Sequence, residues 1–193
     1  MSHTHNWRKV VTAAAVIALL TGLLAACSGG PGGTAGGTQS QVDEIMKRGV
    51  LKVGLDIFVP WAFKDKDGNL VGFEVDVAKK LAADMGVEVE FVPTEWSGII
   101  PALLTGKFDV IIGGMGVTAE RALKMNFSDP YEWSGIDVVV NKNMLPGLTN
   151  LDGLDSEDVV IAVRLGATPV DAARKYAPKA QLHQFDTDEA VIQ

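Results

Sequence analysis

The hydrophobic residues of the chain change their spacing several times, and each change predicts a new secondary-structure element. They alternate with polar residues over 50–55, which indicates a strand. From Phe73 to Met85 they recur every fourth residue, which indicates a helix that ends at Gly86. The predicted elements are, in chain order, a lead-in helix over 43–48, a strand over 50–55, a helix over 73–85, a strand over 88–92, a short helix over 99–104 and a doubly buried strand over 109–114. This alternation predicts a parallel α/β sheet with right-handed crossovers, whose ligands bind beyond the carboxyl ends of the strands.

The same alternation begins again after Tyr131. The second series comprises an extended stretch over 136–140, a strand over 159–163, a helix from Pro169 to about Tyr176 with Thr168 as its N-cap, a strand over 181–185, and a helix from Asp188 capped by Asp186 or Thr187. The chain ends at Gln193, within the last of these elements. We therefore expect a first lobe over 42–137, followed over 138–193 by a hinge strand and an incomplete second lobe.

The beginning of the chain has the features of an export signal. Arg8 and Lys9 precede an apolar stretch that runs to Ala26, and small residues follow, which is typical of a secretory signal peptide over 1–26. The segment 24–27 resembles the lipobox of bacterial lipoproteins, in which Cys27 is acylated after cleavage. In the alternatives, a plain signal peptide or a membrane anchor, Cys27 is incidental. Residues 27–41 are rich in glycine and predict a flexible tether, so we expect a secreted chain anchored by lipid at the cell surface or in the periplasm.

Composition narrows the possible functions. The 193 residues carry a net charge of −7 and no run of basic residues, which argues against nucleic-acid binding. A single cysteine excludes a disulfide framework and a cysteine-based zinc site. Of the three histidines, His3 and His5 lie in the leader, so no metal and no cofactor is expected.

The segment 113–121 has the composition of a small carboxylate site. Gly114 and Gly116 follow a predicted buried strand and let the backbone approach a ligand closely. Thr118 caps a helix with free amides at its positive end, and Arg121 on the first turn can bind a carboxylate through two parallel hydrogen bonds. The alternative is a buried strand that turns into a helix, with Arg121 as an ordinary surface residue.

Six pieces of the chain resemble the bacterial extracellular solute-binding proteins of family 3, the periplasmic amino-acid-binding proteins of ABC importers. These pieces, in the order and at the spacing of that family, are 50–54, 60–63 (Pro-Trp-Ala-Phe), 67–76, 106–111, 118–121 and 127–131. The resemblance implies a type II periplasmic-binding-protein-like α/β fold, with two lobes joined by hinge strands and a ligand bound in the cleft between them. The stretch 136–140 would be the first hinge crossing.

The resemblance also assigns carboxylate contacts. Arg121 matches the arginine that clamps the α-carboxylate of the ligand, and Gly114 and Gly116 match positions that donate backbone N–H groups to it. Family members usually carry Ser or Thr where Gly116 stands, and the missing hydroxyl removes one hydrogen bond, worth about 0.5–1.5 kcal/mol. Thr168, with Ala167, matches a pair that meets the carboxylate from the second lobe.

Other matches concern the ligand side chain. Phe58 and Trp96 are expected to flank it in the cleft, whereas Trp61 and Phe63 are expected to pack in the core. Asp56 and Arg164 match positions that, in some relatives, bind the polar side chain of the ligand. If they face each other across the cleft, they would suit a ligand with a polar or zwitterionic side chain. Alternatively they pair with each other and reject charge, and the sequence leaves this open.

The resemblance therefore predicts the substrate-binding component of an ABC-type amino-acid importer with a polar ligand. We expect a monomer that works with permease subunits and sits at the membrane through its lipid. Rival functions are an enzyme on the same fold, such as a cyclohexadienyl dehydratase-like lyase with an acid at Asp56, Glu74 or Glu95, and a ligand-sensing domain. The resemblance implies that the acid that binds the α-amino group of the ligand follows the helix near Asp188, a region that the chain as written does not contain. We therefore expect the chain as written to fold poorly beyond Val140 and to bind amino acids weakly or not at all.

Overall fold

The structure is a computed structural model that describes residues 40–193. The predicted signal peptide, Cys27 and nearly all of the predicted tether lie outside the described residues. Gln41–Gln193 cluster as one unit by their internal contacts. Within residues 40–193, no helix is both long and apolar enough to cross a membrane.

The helices and strands alternate as the hydrophobic spacing predicts. In chain order they are α1 (Gln41–Arg48), β1 (Val50–Leu55), β2 (Phe63–Lys64), β3 (Leu70–Val71), α2 (Phe73–Met85), β4 (Glu88–Pro93), α3 (Trp96–Leu104), β5 (Val110–Ile111), α4 (Ala119–Ala122), a 3₁₀ turn (Leu151–Leu154), β6 (Val160–Arg164), α5 (Thr168–Tyr176), β7 (Gln181–Phe185) and α6 (Asp188–Ile192). The first helix begins two residues earlier than predicted. Gly86 ends α2 in the left-handed conformation at φ 71°, as expected for a glycine C-cap.

Two separate parallel sheets carry the fold. The first has the strand order β4-β1-β5, with Val50 opposite Glu88 at one end of the β1–β4 ladder and Leu55 opposite Pro93 at the other. The second consists of β6 and β7 in parallel. A small antiparallel hairpin of β2 and β3 encloses the turn 65–69. The parallel pairing confirms the predicted parallel α/β arrangement and brings the carboxyl ends of the strands in each sheet to one edge.

The hydrophobic core surrounds β1, the central strand of the first sheet. Leu51 and Val53 are buried against α2 and α1, while Leu55 belongs to a neighbouring cluster with Val75. Gly54 is required in this strand because a Cβ there would lie 2.4 Å from the Phe108 ring. Because β1 is packed on both sides, the end of this strand fixes the position of the next residue, Asp56.

Several predicted elements differ from the observed ones. The predicted strand over 109–114 pairs as a strand only at Val110–Ile111, although the Ile112 amide still donates to the Gly54 carbonyl at 3.1 Å, and the chain then turns at Gly114, where φ is 65°. The stretch 136–140 has no strand partner among residues 40–193, and Val139 is 96% exposed. The N-cap of α5 is Ala167, without a side-chain capping bond, so the prediction of Thr168 as N-cap is wrong. Thr187 does cap α6, through a 3.3 Å bond from the Ala190 amide.

The aromatic residues of the 60–63 segment are not core residues. Trp61 and Phe63 are only partly buried, and Ala62 between them is the buried one. Trp61 packs edge-to-face on Phe73, with ring centroids 5.6 Å apart. The hairpin therefore places the Trp61 ring on the first residue of α2 and not in the interior.

Candidate ligand-binding site

Four strands end at the same region of the molecule and place the predicted site residues there. Asp56 follows β1, Trp96 begins the helix after β4, and Gly114 and Gly116 follow β5. From the second sheet, Arg164 ends β6, and Gly166 and Thr168 come next. This arrangement agrees with the rule that α/β sheets bind ligands beyond the carboxyl ends of their strands.

Arg121 is held at the start of α4. The N-cap Thr118 accepts a 3.2 Å hydrogen bond from the Arg121 amide, as the sequence predicts. Arg121 is 8% exposed, and its Nη1 donates to the Gly116 carbonyl at 2.8 Å while Nη2 donates to the Gly166 carbonyl at 3.0 Å. Its Cζ lies 5.7 Å from the centroid of the Trp96 ring. Burial lowers the pKa of Arg121 from its ordinary value, and the charges of Asp171 and Glu120 oppose this.

The Gly166 carbonyl is a contact that the sequence did not reveal. It accepts from Trp96 Nε1 at 3.3 Å as well as from Arg121. Gly166 has φ 72°, a conformation that favours glycine. In the sequence, this turn is indicated only by the position of Gly166 shortly before the start of α5. That position does not show which groups donate hydrogen bonds to the Gly166 carbonyl.

Asp56 and Arg164 pair with each other. Arg164 Nη2 contacts Asp56 Oδ2, and the Ile57 amide donates to Asp56 Oδ1 at 2.7 Å. Arg164 Nη1 also reaches Asp188 Oδ2 at 2.8 Å, and Nε donates to the Asp186 carbonyl at 3.3 Å. Of the two arrangements that the sequence left open, this structure contains the ion pair. Asp188 was missed as a site residue because its position, the first in a helix, equally indicates ordinary N-terminal charge complementarity.

The environment of this ion pair is acidic. Asp56 is 7% exposed, and burial raises its pKa, with Glu95 and Asp188 adding to the rise while Arg164 and the Ile57 amide oppose it. A cavity of about 480 Å³ opens beside the pair, and its lining includes the polar residues Asp56, Glu95, Lys107, Arg164, Thr187 and Glu189. Acidic groups therefore outnumber basic ones around the cavity.

The Gly114 amide faces a buried acid. A Cβ built on Gly114 would lie 3.4 Å from Oε1 of Glu74, whose carboxylate is 2% exposed and accepts from the Tyr131 hydroxyl at 2.6 Å. Burial raises the pKa of Glu74, although the Tyr131 hydroxyl and the nearby Gly114 amide lower it. Gly114, whose amide the resemblance assigns to a ligand carboxylate, thus lies beside this acid in the loop between β5 and α4.

Two other predicted contacts face each other. A Cβ built on Gly116 would lie 3.8 Å from Cγ2 of Thr168, so the loop after β5 meets the start of α5. Phe58 is 44% exposed, in a tight turn where its carbonyl accepts from the amides of Trp61 and Ala62. Chain connectivity keeps it near Asp56. Trp96 lies on Arg121, so the two predicted aromatic walls have different surroundings.

Residues 51–182 match the model of the bacterial extracellular solute-binding proteins, family 3. The chain belongs to this family. The L-cystine-binding protein TcyJ of Escherichia coli K12 is 33% identical over 153 residues, which are 79% of this chain and 57% of that protein. A cyclohexadienyl dehydratase of Pseudomonas aeruginosa is 28% identical over 145 residues, 75% of this chain and 54% of that protein. This chain thus spans about half the length of the curated relatives it matches.

Solved structures agree with this assignment. The ancestral protein AncCDT-1 is 48% identical, over 80% of this chain and 68% of that one, with TM-scores of 0.76 and 0.60 in two structures. It is described as an ancestral cationic amino acid solute-binding protein and as a precursor of cyclohexadienyl dehydratase. The predicted α/β periplasmic-binding-protein fold is therefore confirmed.

Proposed function

We propose that this chain is the ligand-binding component of an ABC-type amino-acid importer and that it captures a polar amino acid through the α-carboxylate. The position of Arg121 carries this proposal. It is a nearly buried guanidinium at the carboxyl edge of the first sheet, backed by the Trp96 ring, and an acceptor from the segment after β6 already lies on it. A planar, always charged group in such a place suits a carboxylate.

The remaining parts of the proposal follow from the sequence. Export by the leader and acylation of Cys27 would place the binding domain at the cell surface or in the periplasm. There it would work as a monomer on a flexible tether, beside the permease subunits of the importer. The residues proposed to surround the ligand with Arg121 and Trp96 are Gly114, Gly116, Thr168, Phe58, Asp56 and Arg164.

An enzymatic role has one observation in its favour, and it is weaker. Glu74 is an acid with a raised pKa, the property that a general acid needs, and a dehydratase is among the relatives. However, the side chain is buried and one of its oxygens accepts from the Tyr131 hydroxyl. A buried, hydrogen-bonded carboxylate is poorly placed to exchange a proton with a ligand, so binding without catalysis is the proposed activity.

Isothermal titration of the purified full chain in mild detergent against the twenty amino acids tests this function. Arg121→Ala should weaken the affinity for every bound amino acid by about 30-fold or more, because it removes a charged partner from a desolvated carboxylate. Arg121→Lys should recover only part of the loss, since lysine cannot form two parallel hydrogen bonds. Arg174→Ala, an exposed arginine on α5, is the matched control. Equal affinities in the Arg121→Ala and Arg174→Ala variants would refute the proposal.

A further inference from the structure

One short segment that ends the strand β6 occupies both ends of the proposed site. Arg164, the last residue of β6, sends its guanidinium to Asp56. Two residues later, the carbonyl of Gly166 accepts from Arg121 and from Trp96. The turn that joins these two contacts depends on the positive φ of Gly166.

The chemistry of these two contacts is that of an amino acid with a basic side chain. Arg121 receives a carbonyl oxygen, where a ligand would bring a carboxylate oxygen. Asp56 receives a guanidinium, where a ligand would bring a cationic head group. We propose that the segment 164–166 is a tethered competitor for ligands of this class: the site takes amino acids with cationic side chains, which displace Arg164 from Asp56. This inference rests on the proposed function and specifies its substrate.

The charge around the pair allows such an exchange. Four carboxylates (Asp56, Glu95, Asp188 and Glu189) and two cations (Arg164 and Lys107) lie on or beside the cavity. Like charges in a partly desolvated site repel each other, and an added cation relieves this repulsion. The excess negative charge therefore favours a cationic ligand even though Arg164 is already present.

Arg164 has a second place to go when it leaves Asp56. Its Nη1 lies 2.8 Å from Asp188 Oδ2, and its Nε bonds to the Asp186 carbonyl. Both partners belong to the segment that follows β7, whereas Asp56 follows β1 of the first sheet. Displacement thus breaks the Asp56–Arg164 ion pair between the two sheets and keeps Arg164 paired within the second.

The test compares L-arginine with L-citrulline, which has nearly the same shape but a neutral urea group. Titrations use the full chain in mild detergent. Arg164→Gln should tighten arginine binding by about tenfold or more, because the competing cation is gone, and should change citrulline binding by a clearly smaller factor. Asp188→Asn should act in the opposite direction on arginine alone, because Arg164 then has no second carboxylate. The Asp188 side chain is 32% exposed, so the substitution leaves the core intact.

The outcomes separate this inference from the proposed function. The inference would be overturned if the Arg164→Gln variant bound arginine more weakly or equally well, or if the Asp188→Asn variant bound arginine more tightly. In either case, binding of other amino acids that depends on Arg121 would still support the proposed function. Equal changes for arginine and citrulline would also overturn it, since the head-group charge would then have no role. Absence of binding by the unmodified chain and by every variant would overturn both. Circular dichroism of each variant, with Arg174→Gln as control, verifies that the compared chains are folded.

Discussion

Replacing Gly116 by serine adds back the hydroxyl that family members usually carry at this position. The structure has room for it, since the nearest atom to a Cβ added there would be Thr168 Cγ2, at an ordinary contact distance of 3.8 Å. Gly116 is not among the glycines with positive φ, so a side chain there causes no backbone strain. Its carbonyl accepts from Arg121 Nη1 at 2.8 Å, so the new hydroxyl would belong to a residue already in contact with the guanidinium that is proposed to bind the carboxylate.

The expected gain is that of one hydrogen bond. A net contribution of about 0.5–1.5 kcal/mol corresponds to an affinity about two- to twelvefold higher. Gly116→Ala is the matched control because it adds the same Cβ without the hydroxyl. Both substitutions reduce the freedom of the unfolded chain, so both should raise the thermal midpoint slightly, but only serine should tighten binding.

Isothermal titration with the tightest-binding amino acid measures this difference, with each variant titrated at the same pH and salt concentration. A serine variant that binds no more tightly than the alanine variant would refute the reasoning. In that case residue 116 does not face the ligand carboxylate, and its carbonyl contact with Arg121 is the whole of its role.

Two further predictions concern a buried acid and the anchor. Because burial raises the pKa of Glu74 above 4.5, its stabilising contribution is present below that pH and is lost as the pH rises through the folded pKa. Between about pH 5 and pH 8, the thermal midpoint of the Glu74→Gln variant should therefore fall less than that of the unmodified chain. The exposed control variant, Glu88→Gln, should behave like the unmodified chain. Equal falls in the Glu74→Gln variant and the unmodified chain would contradict this prediction. When the Cys27→Ser variant is expressed in a bacterial host, mass spectrometry should show no added acyl mass, and the protein should no longer be found in the membrane fraction. A variant that stays at the membrane without acylation would mean that an uncleaved leader is the anchor.

The sequence by itself determined the elements whose signals are local. The alternation over 50–55 and the four-residue spacing from Phe73 correspond to β1 and α2, because strand and helix periods follow from backbone geometry alone. Gly86 and Thr118 were predicted as caps for the same reason, since a cap satisfies groups only a few residues away. The chemistry of Arg121 at a helix start was also a local signal.

Signals that depend on pairing were less reliable. The apolar run over 109–114 predicted a strand of full length, but only Val110 and Ile111 pair with β1, and one further backbone bond, from the Ile112 amide, follows. Thr168 has a good capping side chain, yet Ala167 is the N-cap. Hydrogen-bond partners and backbone turns decide such boundaries, and neither is visible in the hydrophobic pattern.

Only the tertiary structure decided how the site residues are paired. The sequence placed Asp56 and Arg164 in the site but could not choose between facing a ligand and facing each other, because they lie 108 positions apart. Nothing in it indicated that Asp188 shares Arg164 or that the Gly166 carbonyl lies on Arg121. Residue type determines what a side chain can bind, whereas the packing of two sheets determines which partner is within a hydrogen-bond distance, and that distance is a property of the folded chain alone.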